Sequence, residues 1–229
     1  MKESIYTIPI TDAFVQKEKC PLCYIEDNLE TEFIQYALGP SMMEPDCRQI
    51  SNKTGYCRHH LKAMYEKNER LSMALMLSTH MEFIKDSLKS VKVEGGSLFS
   101  KAKDDLKKLE DASVSCVICE KLEKAMARYI NNFCHTFNKD KDFRRIAKDA
   151  KPICVHHSIA VIKSAPAGSG ELKAYILEQL DAALGKNIDD IKGFIDMFDH
   201  RNFGTEHSVE VKEALKTTTD FLRGSVENF

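Results

Sequence analysis

Apolar residues recur at intervals of three and four along most of the chain, which is the spacing of one face of an α-helix. Two stretches show this pattern most clearly, and a Gly39-Pro40 pair ends the first of them. No stretch alternates apolar and polar residues over the length of a half-buried strand. The pattern therefore predicts an all-α fold. The apolar positions of the two stretches are Leu22, Ile25, Leu29, Phe33 and Ala37, and Ile118, Leu122, Ala125, Tyr129 and Phe133.

Further helical patterns fill much of the remaining chain. One begins at Cys57 and continues, with or without a kink, to Val91. Two more helices are predicted from Leu172 to Leu184 and from Ile188 to Phe198, and an amphipathic one from Val211 to Leu222. The fold class expected from these elements is a helical bundle. The inner stripe of the long pattern after Cys57 is Met73, Leu77, Met81, Ile84 and Leu88.

Two short motifs each occur twice. Cys20-x-x-Cys23 and Cys57-x-x-His60 return as Cys116-x-x-Cys119 and Cys154-x-x-His157, at offsets of 96 and 97 residues. Matched motifs at a matched offset indicate an internal duplication.

A third match lies between the motifs, where Asp46-x-Arg48-x-Ile50 corresponds to Asp142-x-Arg144-x-Ile146 at the same offset of 96. The clearest break between the copies is Val93-Glu94-Gly95-Gly96-Ser97. We therefore expect two duplicated metal-binding halves: residues 1–94 with the first repeat, and residues 95–229 with the second repeat and the C-terminal helices.

Thiolate and imidazole are the ligands that suit zinc, and four of them complete a tetrahedral site. We expect each half to supply its own Cys3His set and to bind one zinc ion, which gives two per chain. A site with four protein ligands is closed, whereas a catalytic zinc keeps one position for water. The metals are therefore expected to be structural, and an iron–sulfur cluster is the alternative cofactor. The two sets are Cys20, Cys23, Cys57 and His60, and Cys116, Cys119, Cys154 and His157.

Each Cys-x-x-His motif has a second histidine at its third position, so either of two neighbouring histidines could be the metal ligand. Residues three apart on the first turn of a helix share a face, which selects His60 over His59 and His157 over His156. For His59 and His156 three roles stay open: a hydrogen-bonding neighbour of the site, an alternative ligand, or a surface residue.

The repeated Asp-x-Arg-x-Ile motif has two interpretations. In one, Arg48 and Arg144 lean toward the sulfurs of their own halves and offset the negative charge of three thiolates. In the other, the motif is a short amphipathic helix in which Ile50 and Ile146 are the buried anchors.

Composition excludes some function classes. The 229 residues are 43% hydrophobic and carry a formal charge of −2, which disfavours nucleic-acid binding. No run of eighteen apolar residues predicts a membrane span, and the N-terminus lacks a signal-peptide core. Eight cysteines in such a chain are expected to be reduced thiols, so a cytoplasmic location is predicted.

Two polar clusters lie outside the metal motifs. The segment Lys139–Lys151 has six basic and three acidic residues, which indicates either a phosphate or RNA contact or a solvated face. Asp199-His200-Arg201, with Glu206-His207 nearby, is a candidate pocket lining whose role the sequence leaves open.

The order of motifs resembles that of a known family. The opening Ile5-Tyr6-Thr7-Ile8-Pro9-Ile10, the four Cys and His motifs and Phe198-Asp199-His200-Arg201 are similar to an uncharacterised bacterial family, found largely in Firmicutes and other anaerobes. That family has tandem Cys-x-x-Cys and Cys-x-x-His motifs, and it usually has tyrosine where His200 stands. The resemblance covers essentially the full chain and implies a helical metal-binding protein without an assigned activity.

These observations favour a non-enzymatic zinc protein that binds a partner protein or a small ligand, with no catalytic residue assigned. The alternative is an iron–sulfur or exchangeable-metal protein with a redox or metal-handling role.

Overall fold

The computed structural model describes residues 8–89, 91, 93–94, 97–98, 106–107, 109–110, 112–202 and 205–224. Helices account for most of them, which confirms the all-α prediction. The described part contains one β pairing, of two residues on each side, Val93–Glu94 with Ser97–Leu98. The helices are α1 (Ile8–Val15), α2 (Pro21–Leu38), α3 (Pro40–Met43), α4 (Pro45–Thr54), α5 (Arg58–Glu66), α6 (Arg70–Lys89), α7 (Val117–Lys139), α8 (Lys141–Asp149), α9 (Val155–Ser164), α10 (Gly170–Asp196), a 3-10 turn (His200–Asn202), α11 (Val209–Lys212) and α12 (Ala214–Arg223).

The chain forms two compact units that do not coincide with the expected halves. Unit 1 consists of Met1–Asp27 together with Met126–Phe229, and unit 2 consists of Asn28–Ala125. Both boundaries fall inside a helix, one in α2 and one in α7. The division expected between residues 94 and 95 lies within unit 2, and Gly95 and Gly96 of the expected linker lie outside the described residues.

Aromatic packing forms the core of unit 1. The ring of Phe14 on α1 stacks on Phe133 of α7 with centroids 4.9 Å apart, and its edge meets Phe143 of α8 at 5.3 Å. Phe137 lies one turn beyond Phe133, and all four rings are at most 1% exposed. Each of these rings removes a large apolar area from water, so together they fix α1, α7 and α8. Elsewhere in this unit α10 contacts α9, α11 and α12.

Aliphatic and sulfur-containing side chains form the core of unit 2. Helices α3, α4 and α5 all contact α6. The buried residues of this core are Ile34, Ala37, Leu38, Met64, Met76, Cys116, Val117 and Ile118.

Two helix boundaries differ from those expected. The long pattern after Cys57 is divided into α5 and α6, because Asn68 adopts a left-handed conformation with φ of 63°. The two helices expected between Leu172 and Phe198 are largely one helix, α10, which is 27 residues long.

The expected inner stripe of α6 is only partly correct. Met76 is 4% exposed, whereas Met81 and Leu88 from that stripe are 61% and 53% exposed. Met73 of that stripe packs with Met76 on the core of unit 2, so the buried face of α6 is the one through these two methionines.

Gly55 joins two segments of unit 2 at close range. It has φ of 74°, and a Cβ atom at this position would lie 2.2 Å from the carbonyl oxygen of Ala112. Its own carbonyl accepts a hydrogen bond of 3.1 Å from the amide of Val117. Glycine is therefore required where the chain before Cys57 runs against the chain before Cys116.

Gly55→Ala tests this close approach, and Gly168→Ala is its matched control. Gly168 also has positive φ, at 86°, but nothing lies within 4 Å of its Cβ position. We expect Gly168→Ala to lower the free energy of unfolding by about 1–2 kcal/mol through backbone strain. Gly55→Ala should cost about 1–3 kcal/mol more, because the methyl group overlaps backbone. Urea unfolding followed by circular dichroism measures both, and equal costs would contradict the close approach.

Candidate metal centre

All four ligand pairs lie at the starts of helices. Cys20 and Cys116 immediately precede α2 and α7, whereas Cys57 and Cys154 are the residues that cap α5 and α9. The first position of α2 accepts Pro21, because the backbone N–H that proline lacks would have no partner within the helix there. At a helix start the free amides and the helix dipole favour a negatively charged sulfur.

The structure groups the eight predicted residues differently from the sequence expectation. The first cluster consists of Cys20, Cys23, Cys154 and His157, and the second consists of Cys57, His60, Cys116 and Cys119. Each Cys-x-x-Cys pair therefore meets the Cys-x-x-His pair of the other half. The expectation that each half completes its own set is wrong. Each cluster lies within one unit, the first in unit 1 and the second in unit 2.

The first cluster is largely closed to solvent. Nδ1 of His157 lies 3.3 Å from Sγ of Cys154, 3.4 Å from Sγ of Cys23 and 3.9 Å from Sγ of Cys20. The sulfurs of Cys23 and Cys154 are 3.6 Å apart. Cys23, Cys154 and His157 are each at most 2% exposed, and Cys20 is half-buried.

The second cluster has similar geometry but reaches the surface. Nδ1 of His60 lies 3.2 Å from Sγ of Cys57, 3.3 Å from Sγ of Cys116 and 3.4 Å from Sγ of Cys119. The sulfurs of Cys57 and Cys119 are 3.8 Å apart. His60 and Cys116 are buried, Cys57 is half-buried, and Cys119 is exposed.

These spacings fit four ligands around one ion. In a tetrahedron with metal–sulfur and metal–nitrogen distances of about 2.3 and 2.0 Å, neighbouring ligand atoms are roughly 3.5–3.8 Å apart. The distances in both clusters, from 3.2 to 3.9 Å, cluster around these values. None of the eight cysteines forms a disulfide, so the thiols remain available as ligands. Each cluster can therefore hold a metal ion.

Carboxylates on α2 approach the far nitrogen of each histidine. Nε2 of His157 lies 3.4 Å from Oε2 of Glu26, and Nε2 of His60 lies 3.0 Å from Oε1 of Glu30, although at a poor angle for a hydrogen bond. Oε1 of Glu30 also lies 2.7 Å from Nε2 of His59. A carboxylate at this position orients a metal-binding imidazole and makes it a stronger ligand. Neither glutamate was predicted from the sequence.

In the second cluster, contacts among the ligands shift their pKa values. Burial by itself raises the pKa of Cys116, but hydrogen bonds from His60 and the backbone bring it down to about 6. Burial by itself lowers the pKa of His60, but contacts with Cys116 and Glu30 raise it to about 10. Burial and the nearby Cys116 raise the pKa of Cys119 above its usual value.

The first cluster behaves in the same way. Burial by itself lowers the pKa of His157, but Cys154 and Cys20 raise it to about 10. Hydrogen bonds with Cys154 and Cys20 raise the pKa of Cys23 far above its usual value. A metal ion entering either cluster must displace such protons, so its affinity increases with pH in the neutral range.

Hydrogen bonds from side chains of unit 1 hold the backbone immediately before Cys154. Oε1 of Gln179 accepts a hydrogen bond of 2.9 Å from the amide of Ile153, and its Nε2 donates to the carbonyl of Ile153 at 3.3 Å. The hydroxyl of Ser158 donates to the same carbonyl at 3.1 Å. These bonds hold the backbone immediately before Cys154, as Gly55 does before Cys57.

The neighbouring histidines lie outside the sulfur clusters. His59 is on the surface and contacts Glu30, so it is a hydrogen-bonding neighbour of the second cluster. The exposed His156 packs the edge of its ring against His157 with centroids 5.2 Å apart.

The arginines of the repeated motif do not approach the sulfurs. Nη1 of Arg144 donates to both oxygens of Glu171, at 2.9 and 2.7 Å. In the described part of the chain no polar contact joins Arg48 to a ligand sulfur. The alternative with two buried anchors also fails for the first copy, because Ile50 is 54% exposed.

In the polar cluster Asp199-His200-Arg201, Asp199 and Arg201 form an ion pair at the surface. Nε of Arg201 donates to Asp199 at 3.0 Å, and the side chain of His200 is 93% exposed. The pKa of Asp199 is lowered by this hydrogen bond with Arg201.

Fold and site together define an all-α protein with two candidate Cys3His metal centres. The chain belongs to the family described as "Family of unknown function (DUF6062)", whose model matches residues 1–228, and this confirms the resemblance to a family of unknown function. No curated protein and no solved structure matches the chain. Among the described residues, no helix has the length and apolar character needed to cross a membrane.

Double substitutions test how the ligands are grouped. Cys20→Ser with Cys154→Ser removes two ligands from the first cluster, so one bound metal should remain. Cys20→Ser with Cys57→Ser removes one ligand from each cluster, so both metals should be lost or weakly held. Grouping within each half predicts the opposite result for the two variants. Metal content after desalting measures the outcome, and Cys134→Ser, which lies outside both clusters, is the control.

Proposed function

We propose that this protein binds two zinc ions that are structural, one in each Cys3His cluster, and that it is not an enzyme. The observation that carries this proposal is the closed set of four ligand atoms in each cluster, with the imidazole Nδ1 among the sulfurs. Four protein ligands leave no open position for water or substrate, which is typical of structural zinc.

The chemistry of the ligands favours zinc over an iron–sulfur cluster. Such a cluster places several iron atoms between its cysteines and holds their sulfurs farther apart than one ion does. The observed sulfur separations of 3.6 and 3.8 Å suit a single ion.

The proposal also includes an internal duplication of the chain and a cytoplasmic location. The matched motifs support an internal duplication, and reduced thiols support a cytoplasmic location. Because both metals stabilise the fold in this proposal, a partner protein or a small ligand binds at the surface of the helices.

Elemental analysis with an absorption spectrum tests the metal assignment. We expect colourless protein, purified without oxygen, that contains two zinc ions per chain. Cys57→Ser should retain one zinc and lose part of its helical signal, because metal binding contributes to folding. Brown protein with iron and visible absorption would overturn the proposal, as would a fully folded Cys57→Ser variant with two metals.

A second candidate function is metal exchange at the second cluster, and one observation favours it. Cys119 is exposed and Cys57 is half-buried, whereas three of the four ligands of the first cluster are buried. An exposed thiolate can be attacked by a competing ligand or reagent more readily than a buried one.

A chelator challenge tests this second candidate. We expect two phases of zinc release, the faster from the second cluster. Cys154→Ser, in which the second cluster is intact, should show the fast phase alone, and Cys57→Ser should show the slow phase alone. Release of both metals at a single rate would exclude metal exchange and leave the structural assignment in place.

A further inference from the structure

Four basic side chains share one face of α8. Lys141, Arg144, Arg145 and Lys148 stand at spacings of three and four, so they are neighbours along the helix surface. The opposite face is apolar, and its Phe143 and Ala147 are buried in unit 1. Like charges at these spacings destabilise a helix unless an anion lies between them.

These side chains line a groove of about 310 Å³ together with Glu171. Glu171 belongs to the first turn of α10, and no side chain caps the start of that helix. The lining therefore has four positive groups and one negative group, in a chain with a formal charge of −2. The positive end of the α10 dipole adds to the attraction for an anion.

Several donors in the groove have no partner. Nε of Arg144 is buried without a hydrogen bond. In the part of the chain that the structure describes, no contact of Lys141 or Lys148 with an acidic group occurs. The two remaining charges are paired, Arg144 with Glu171 and Arg145 with Asp142 at 2.7 Å.

We propose that this groove binds the phosphate group of a small molecule. A phosphomonoester carries two negative charges and accepts several hydrogen bonds at once, which matches a guanidinium flanked by two ammonium groups. Glu171 holds Arg144 in place and competes with the phosphate for it.

The dimensions favour a small molecule over a nucleic acid. Helix α8 has nine residues and is about 13 Å long, so its basic face spans few nucleotides. The negative formal charge of the whole chain also opposes a long polyanion.

This inference rests on the ligand-binding part of the proposed function and does not depend on which metal is bound. It supplies a chemical class for the small ligand.

Isothermal titration of the metal-loaded full chain tests the site, with adenosine 5′-monophosphate, inorganic phosphate and adenosine as probes at low ionic strength. We expect the monophosphate to bind and adenosine not to bind. Lys141→Ala with Lys148→Ala should weaken binding of the monophosphate by about tenfold or more, because two charges that contact the phosphate are lost. Inorganic phosphate that binds equally well would assign recognition to the phosphate group alone.

Two further variants complete the design. Lys163→Ala removes an exposed lysine of α9 outside the groove and should leave the affinity unchanged. Glu171→Gln removes the competing carboxylate and should strengthen binding. Circular dichroism and metal analysis accompany each variant, so a failure of this inference with both metals retained is distinct from a failure of the proposed function.

Three results would overturn the inference. They are the absence of binding by the monophosphate, an unchanged affinity in the double lysine variant, and a ten-nucleotide RNA that binds more tightly than the monophosphate through the same lysines. The last result would assign the face to a nucleic acid.

Discussion

Three sulfurs and an imidazole lie within one coordination sphere in each unit, and this crowding is the constraint on which the structure depends. Buried thiolates at such distances repel each other unless a proton or a metal ion offsets their charge. The surrounding features serve the same end. Helix starts present free amides to the sulfurs, Glu30 and Glu26 lie at the far side of the imidazoles, and Gly55 and Gln179 hold the backbone beside each cluster.

The sequence was most informative where the determining geometry is local. The choice of His60 over His59 follows from residues three apart sharing a helix face, and the structure places Nδ1 of His60 among the sulfurs. The all-α fold follows from the spacing of apolar residues. The position of the division between α5 and α6 was not predicted, because it rests on the backbone conformation of Asn68, which apolar spacing does not report.

The grouping of the ligands is a non-local property, and the repeated motifs are compatible with either arrangement. The glutamates were missed for a related reason, since Glu26 and Glu30 reach their histidines through sequence separations that no motif marks.

The crossed grouping also sets an order for assembly during synthesis. The second cluster has all four ligands once Cys119 has left the ribosome, whereas the first cluster must wait for His157. Cys20 and Cys23 are therefore the first of the six ligand thiols to be made and among the last to find their partners. The site that ends up most deeply enclosed is the one whose earliest cysteines remain unpaired for the longest stretch of translation.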